Sequence, residues 1–134
     1  MEKTTNPFTN DNFARHVGIE LIDAAKGSAR ARLDICEQHL NGAGCAHGGA
    51  IFTLAVWTMA VAANQGTQTL SVGLNADISY LTAANGGTLT AQAKLIADAI
   101  RVATYQVIIT DENKQTVAVF KGLAYKKFGQ KSPL

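Results

Sequence analysis

Residues 47–64 read HGGAIFTLAVWTMAVAAN, about four helical turns of apolar and small residues. Only Thr53 and Thr58 interrupt the run before Asn64. A surface helix shows one apolar stripe and one polar face. This segment has no polar face, so as a helix over about 47–65 it has to be wrapped by other structure. A membrane span needs about 20 apolar residues, more than this run offers. The chain is therefore expected to bury one central helix, and its N-terminus, opened by Gly48 and Gly49, is the natural functional point.

Composition narrows the class. A chain of 134 residues is one domain with room for a core, and 47% hydrophobic against 16% charged residues is a globular balance. A net charge of +2, with basic residues scattered apart from Lys126, Lys127 and Lys131, argues against nucleic acid as a partner. The opening MEKTTNPFTNDNF has no apolar core of a secretion signal, and Cys36 and Cys45 make no disulfide framework. A cytoplasmic protein with reduced thiols and no membrane segment is the expectation.

Along the chain, residues 1–9 read as a flexible N-terminus, 10–127 as one domain and 128–134 as a tail. Thr9 or Asn10 is expected to cap a short helix through Phe13, Ala14 and Val17, ended by Gly18. Strands follow at 19–25 and 29–36, with Lys26-Gly27-Ser28 as their hairpin turn. In the second strand Ala29, Ala31, Leu33 and Ile35 alternate with Arg30, Arg32 and Asp34. After the helix, 69–83 sets Leu70, Val72, Leu74, Ala76, Ile78 and Tyr80 against Ser71, Gly73, Asn75, Asp77 and Ser79. Asn85-Gly86-Gly87 reads as a hairpin into 88–100, where Leu89, Ala91, Ala93, Leu95 and Ala97 point inward. Strands at 101–111 and 115–127, joined by a turn, complete an α+β architecture: an antiparallel sheet curled around one helix.

The string from Asn41 to Ala55, NGAGCAHGGAIFTLA, the strand VGLNADISYL at 72–81 and the GGTLTA run from Gly86 resemble a hotdog-fold acyl-CoA thioesterase of the PaaI-like, phenylacetate-degradation branch. A helix N-terminus offers unpaired N–H groups and a positive dipole end, and glycine there leaves the backbone open to a ligand. The Gly48 N–H would polarise a thioester carbonyl, and Asn41 would add a side-chain hydrogen bond to that carbonyl or to water. The resemblance implies those two roles, with His47 shaping the same site and Gly49, Gly73, Asn75 and Ser79 against the substrate. It also implies a homodimer made by joining sheets, often a dimer of dimers, with sites built from both chains. No cofactor beyond the coenzyme A moiety of the substrate is implied.

One element of the pattern is missing. Similar enzymes carry an Asp or Glu nine residues after the motif histidine, and here that position is Val56, which cannot accept a proton. No acid occurs between Glu37 and Asp77, and the serine or threonine that often assists from the next strand falls at Gly73. General-base catalysis is worth about 10²–10⁴-fold, so a slow hydrolase and a non-catalytic acyl-CoA or acyl-carrier binding protein are both open. Asp77 reads as a sheet-edge carboxylate and Cys45 as a turn thiol rather than a nucleophile paired with His47. His16 and His39 read as surface or capping groups, and no metal-ligand spacing is present. Trp57 and Met59 read as core before pocket lining. Arg101, Lys126 and Lys127 read as solvated surface or as partners for phosphate.

Overall fold

An apolar segment without a polar face has to be enclosed, and the helix over Gly48–Asn64 is. The computed structural model describes residues 5–127. In chain order they form α1 (Asn12–Val17), β1 (Ile19–Ala25), β2 (Ser28–Asp34), α2 (Gly48–Asn64), β3 (Leu70–Tyr80), β4 (Thr88–Asp98), β5 (Val102–Thr110) and β6 (Thr116–Lys127). The six strands make one antiparallel sheet in the order β1-β2-β4-β5-β6-β3, and α2 meets every strand.

The alternation read in the second strand holds where it touches the helix. Ala29, Ala31 and Leu33 are buried and stand opposite Ala93, Ala91 and Leu89 of β4, which puts small side chains beneath α2. Leu54, Val61, Val107, Ile109 and Phe120 are wholly buried around them. Phe52 of α2 meets Phe120 edge-on with ring centres 5.8 Å apart. At the far end of α2 the buried Asn64 donates to Ser71 O and accepts from Ser71 N, both at 2.9 Å, and so fastens β3 to the helix.

Several local expectations change. The cap of α1 is Asp11, whose Oδ1 accepts from Ala14 N at 2.9 Å, not Thr9 or Asn10. Those residues belong to a 3-10 turn over Pro7–Asn10, and Gly18 ends α1 in the left-handed conformation as expected. Residues from Asn6 on are tied down: Asn6 Nδ2 donates to Val61 O at 2.9 Å and Trp57 Nε1 to Phe8 O at 2.7 Å. Residues 1–4 and the tail 128–134 lie outside the described residues.

Asn85-Gly86-Gly87 does not close a hairpin. β3 pairs with β6 at one edge, whereas β4 lies between β2 and β5, so this segment is a crossover. Backbone bonds from Leu81 N to Val117 O, from Ala46 N to Ala84 O and from Ile35 N to Gly87 O hold it across the start of α2. Turn residues signal a bend, and they do not say which strand comes next to which. β3 also stops at Tyr80, and a bulge between Gly73 and Asn75 breaks its alternation, leaving Leu74 and Tyr80 exposed. A bulge between Leu95 and Ala97 does the same in β4, so both of those residues are exposed rather than inward.

Candidate active site

The first turn of α2 accounts for its backbone donors one by one. His47 is the N-cap, and its Nδ1 accepts from Gly49 N at 2.8 Å. Ala50 N and Ile51 N both bond to His47 O, at 2.9 and 3.2 Å. That leaves the Gly48 N–H without a partner among the described residues, at the positive end of a 17-residue helix. Gly48 O is held by Tyr80 Oη at 2.8 Å. Side chains larger than glycine would crowd both neighbours here. A Cβ on Gly48 would stand 3.0 Å from Tyr80 Oη, and one on Gly49 3.0 Å from His47 Nδ1.

Asn41 shapes the preceding loop through its carboxamide oxygen. Oδ1 accepts from Ala43 N at 2.9 Å and Cys45 N at 3.1 Å, while Asn41 N donates to Cys45 O at 2.7 Å. This Asx turn commits the oxygen and leaves Nδ2, a donor only, with no partner among the described residues. Asn41 and Gly48 line one cavity of about 390 Å³, with Cys45, Ile51, Tyr80 and the crossover segment. The structure thus gathers two uncommitted N–H donors at one opening. Donors of this kind are what a carbonyl oxygen gaining negative charge requires, where they converge on it.

Val56 is elsewhere. It stands eight residues beyond Gly48, about 12 Å along the helix axis, and lines a different, mostly apolar cavity of about 330 Å³ with Gly73, Phe13, Trp57 and Met59. Trp57 and Met59 are therefore both core and lining, 6% and 1% exposed. Asp11 lines the same cavity. Sequence reasoning missed it, and its one signal, an N-cap residue before a short helix, says nothing of a position 45 residues later.

His47 and Gly49 open on a third cavity, of about 330 Å³, with His16, His39 and Thr53. Asn75 and Ser79 are exposed on the edge strand β3 and line none of these three cavities.

The remaining candidates sort simply. The Nδ1 of His47 is taken by Gly49, and no bond joins His47 to Cys45. The cysteine that does meet a histidine is Cys36, whose Sγ is 3.5 Å from Nδ1 of His39. His39 is buried rather than at the surface, with Nε2 at 2.5 Å from Val17 O and Nδ1 accepting from Cys36 N, so its role is capping. Asp77 is an exposed carboxylate on β3, opposite Lys121. Lys126 is held by Asp98 and by Ala99 O. Among the described residues no three His, Cys, Asp or Glu side chains gather as metal ligands, and no helix is long and apolar enough to cross a membrane.

Known proteins agree with this architecture. Residues 43–118 match the family model described as the thioesterase superfamily. The acyl-coenzyme A thioesterase PaaI of Escherichia coli K12 is 32% identical over 120 residues, covering 89% of this chain and 85% of that one. The solved structure of the E. coli PaaI protein, from the phenylacetic acid degradation operon, superimposes with a TM-score of 0.87 at 30% identity, over 94% of this chain and 91% of that one. A Streptococcus mutans protein solved with acetyl-CoA bound shares the fold, with a TM-score of 0.75 at 24% identity over 86% of this chain and 92% of that one. On this sequence match and this fold, the chain belongs to the thioesterase superfamily, as a hotdog-fold member of the PaaI-like branch.

Proposed function

We propose that this chain hydrolyses acyl-CoA thioesters with aryl or medium-length acyl groups. The observation that carries the reading is the pair of uncommitted donors, Gly48 N–H and Asn41 Nδ2, on one cavity at the start of α2. A thioester carbonyl oxygen seated between them is polarised. As water adds to the carbonyl carbon, the oxygen's new negative charge meets a backbone dipole and an amide donor already in place. Collapse of the tetrahedral intermediate breaks the C–S bond and releases a carboxylic acid and the coenzyme A thiol.

The apolar cavity beside Val56, with Phe13, Trp57 and Met59, suits an aromatic or aliphatic acyl group. Its distance of about 12 Å from Gly48 along α2 is too long for both walls of one protomer to act on one carbonyl. A homodimer in which each site takes Gly48 from one chain and the Val56 wall from the other removes that difficulty. β3 has a free edge, and Leu74 and Tyr80 on it and Leu81 just beyond it are exposed, as a joined pair of sheets needs. Asn75 and Ser79, exposed on the same strand, would then face the neighbouring chain's site. Both cysteines are free, which suits a reducing, cytoplasmic setting.

Val56 favours a second reading, a protein that binds acyl-CoA or an acyl carrier without hydrolysing it. Free-thiol release with phenylacetyl-CoA, benzoyl-CoA and a ladder of straight-chain acyl-CoAs separates the two. Turnover on one of these supports the hydrolase. Tight binding of an acyl-CoA with no release of thiol leaves the binding protein.

A further inference from the structure

We infer that Asp11 is the carboxylate base of this site, taking the place of the acid that α2 lacks at position 56. The inference rests on the hydrolase reading above, in which the Val56 wall of one chain faces Gly48 of the other, and names the group on that wall that activates the water. Asp11 and Val56 line the same cavity, and Asp11 is the one ionisable side chain among the residues that line it. The other polar side chains there are committed. Thr53 Oγ1 donates to Gly49 O at 2.8 Å and Trp57 Nε1 to Phe8 O at 2.7 Å.

The Asp11 carboxylate is held but not spent. Its Oδ1 caps α1 through Ala14 N at 2.9 Å, and its Oδ2 has no partner among the described residues. One oxygen therefore fixes the group at the rim of an apolar chamber while the other is free to accept from water. The neighbouring cation does not neutralise it: the Arg15 guanidinium is turned to Asn12 Oδ1 and Asn10 Oδ1, at 2.8 and 2.7 Å.

In the step assigned to it, Oδ2 takes one proton of a water molecule as that water's oxygen bonds to the thioester carbon. When the C–S bond breaks, the departing thiolate takes that proton back from Asp11 and leaves as the thiol. Water and thioester are consumed, acid and thiol are formed, and Asp11 ends ionised.

The variant that isolates this role is Asp11→Asn. Asparagine caps a helix about as well as aspartate, so α1 is retained and only the base is removed. Thiol release is measured on the intact protein with the best acyl-CoA of the series, alongside Tm and the Kd for a non-hydrolysable acyl-CoA thioether. The expected result is a fall in kcat of about 100-fold or more, with Tm and Kd unchanged, and recovery when Val56→Asp is added to Asp11→Asn. Native turnover that survives Asp11→Asn within about threefold overturns the assignment and leaves the hydrolase reading intact. A native chain that is inert overturns both, and one that gains activity only through Val56→Asp shows that Asp11 does not replace the lost acid.

Discussion

Asn41 does two things that two substitutions separate. Its Oδ1 receives two backbone N–H bonds, at 2.9 and 3.1 Å, that shape the loop before α2, and its Nδ2 is the donor proposed to meet the carbonyl oxygen in the cavity that Asn41 lines. Asn41→Ala removes both functions. Losing two hydrogen bonds of about 1 kcal/mol each, in an exposed loop where water replaces part of them, costs about 1–2 kcal/mol. For a domain of this size that lowers Tm by about 2–8 °C. Asn41→Asp keeps an acceptor in the same place for Ala43 N and Cys45 N, so Tm is expected to hold, but it turns the donor into an anionic oxygen. Removing one donor to a developing oxyanion typically costs about 10²–10³ in kcat. Both variants are thus expected to lose kcat by that factor while only Asn41→Ala loses Tm. The assay is initial-rate thiol release beside a thermal melt of each purified variant. If Asn41→Asp keeps the native kcat, or if activity falls only in step with Tm, Asn41 serves the loop alone and the two-donor account of the site is wrong.

Other expectations follow from particular contacts. Gly122→Ala places a Cβ against Met59 Sδ and 2.9 Å from Phe120 Cε1, and this overpacking should cost about 1–3 kcal/mol in a denaturant melt. The Cβ added by Gly73→Ser meets nothing nearer than Met59 Cε at 3.8 Å, and Gly73 is exposed, so stability should stay within about 0.5 kcal/mol of native in the same melt. The carboxyl of Asp34 is held below its usual 3.8, first by the Thr88 hydroxyl and then by Arg32. A depressed carboxylate contributes stability above its unfolded value and loses it as pH falls through the folded one. The slope of Tm against pH below 3.8 should therefore be shallower in Asp34→Asn than in the native chain.

Hydrophobic pattern carried most of the fold because the helix is apolar on every side. A segment that buries Leu54, Ala55, Met59 and Val61 together leaves an antiparallel cover as the economical partner, and Ala29, Ala31 and Leu33 show the period of two that such a cover needs. Pairing order was not legible. Asn85-Gly86-Gly87 has the composition of a hairpin turn, yet β3 belongs to β6, and that choice depends on partners 38 to 57 residues apart, from Tyr80 and Ala118 to Leu70 and Lys127. Bulges were equally hidden, since one extra residue at Gly73–Asn75 shifts every later side chain to the other face without changing composition. At the site, the N-terminus of α2 could be read because helix ends have fixed chemistry. Asp11 could not, because its place beside Val56 is made by α1 folding back onto α2.

Position 56 and position 73 should be judged together. Both line the apolar cavity, so this wall carries a valine and a glycine at the two positions where the resemblance implied an acid and a hydroxyl. The donors proposed for the carbonyl oxygen, Gly48 N–H and Asn41 Nδ2, belong to residues of the other cavity. An acid at 56 would have made the chamber's deep wall ionic. With the one ionisable side chain of this lining at Asp11, half exposed at the N-terminus of a short helix, the wall from Val56 to Met59 is apolar. The physical consequence is a selectivity argument. A chamber walled by Phe13, Val56, Trp57 and Met59 gains about 25 cal/mol for each Å² of apolar acyl surface it covers, and it has no deep polar group to reward a hydroxylated or charged acyl chain. If Asp11 is the base, the best substrates are those whose acyl group is wholly apolar. Polar acyl-CoAs should lose rate through KM while kcat stays near that of their apolar counterparts.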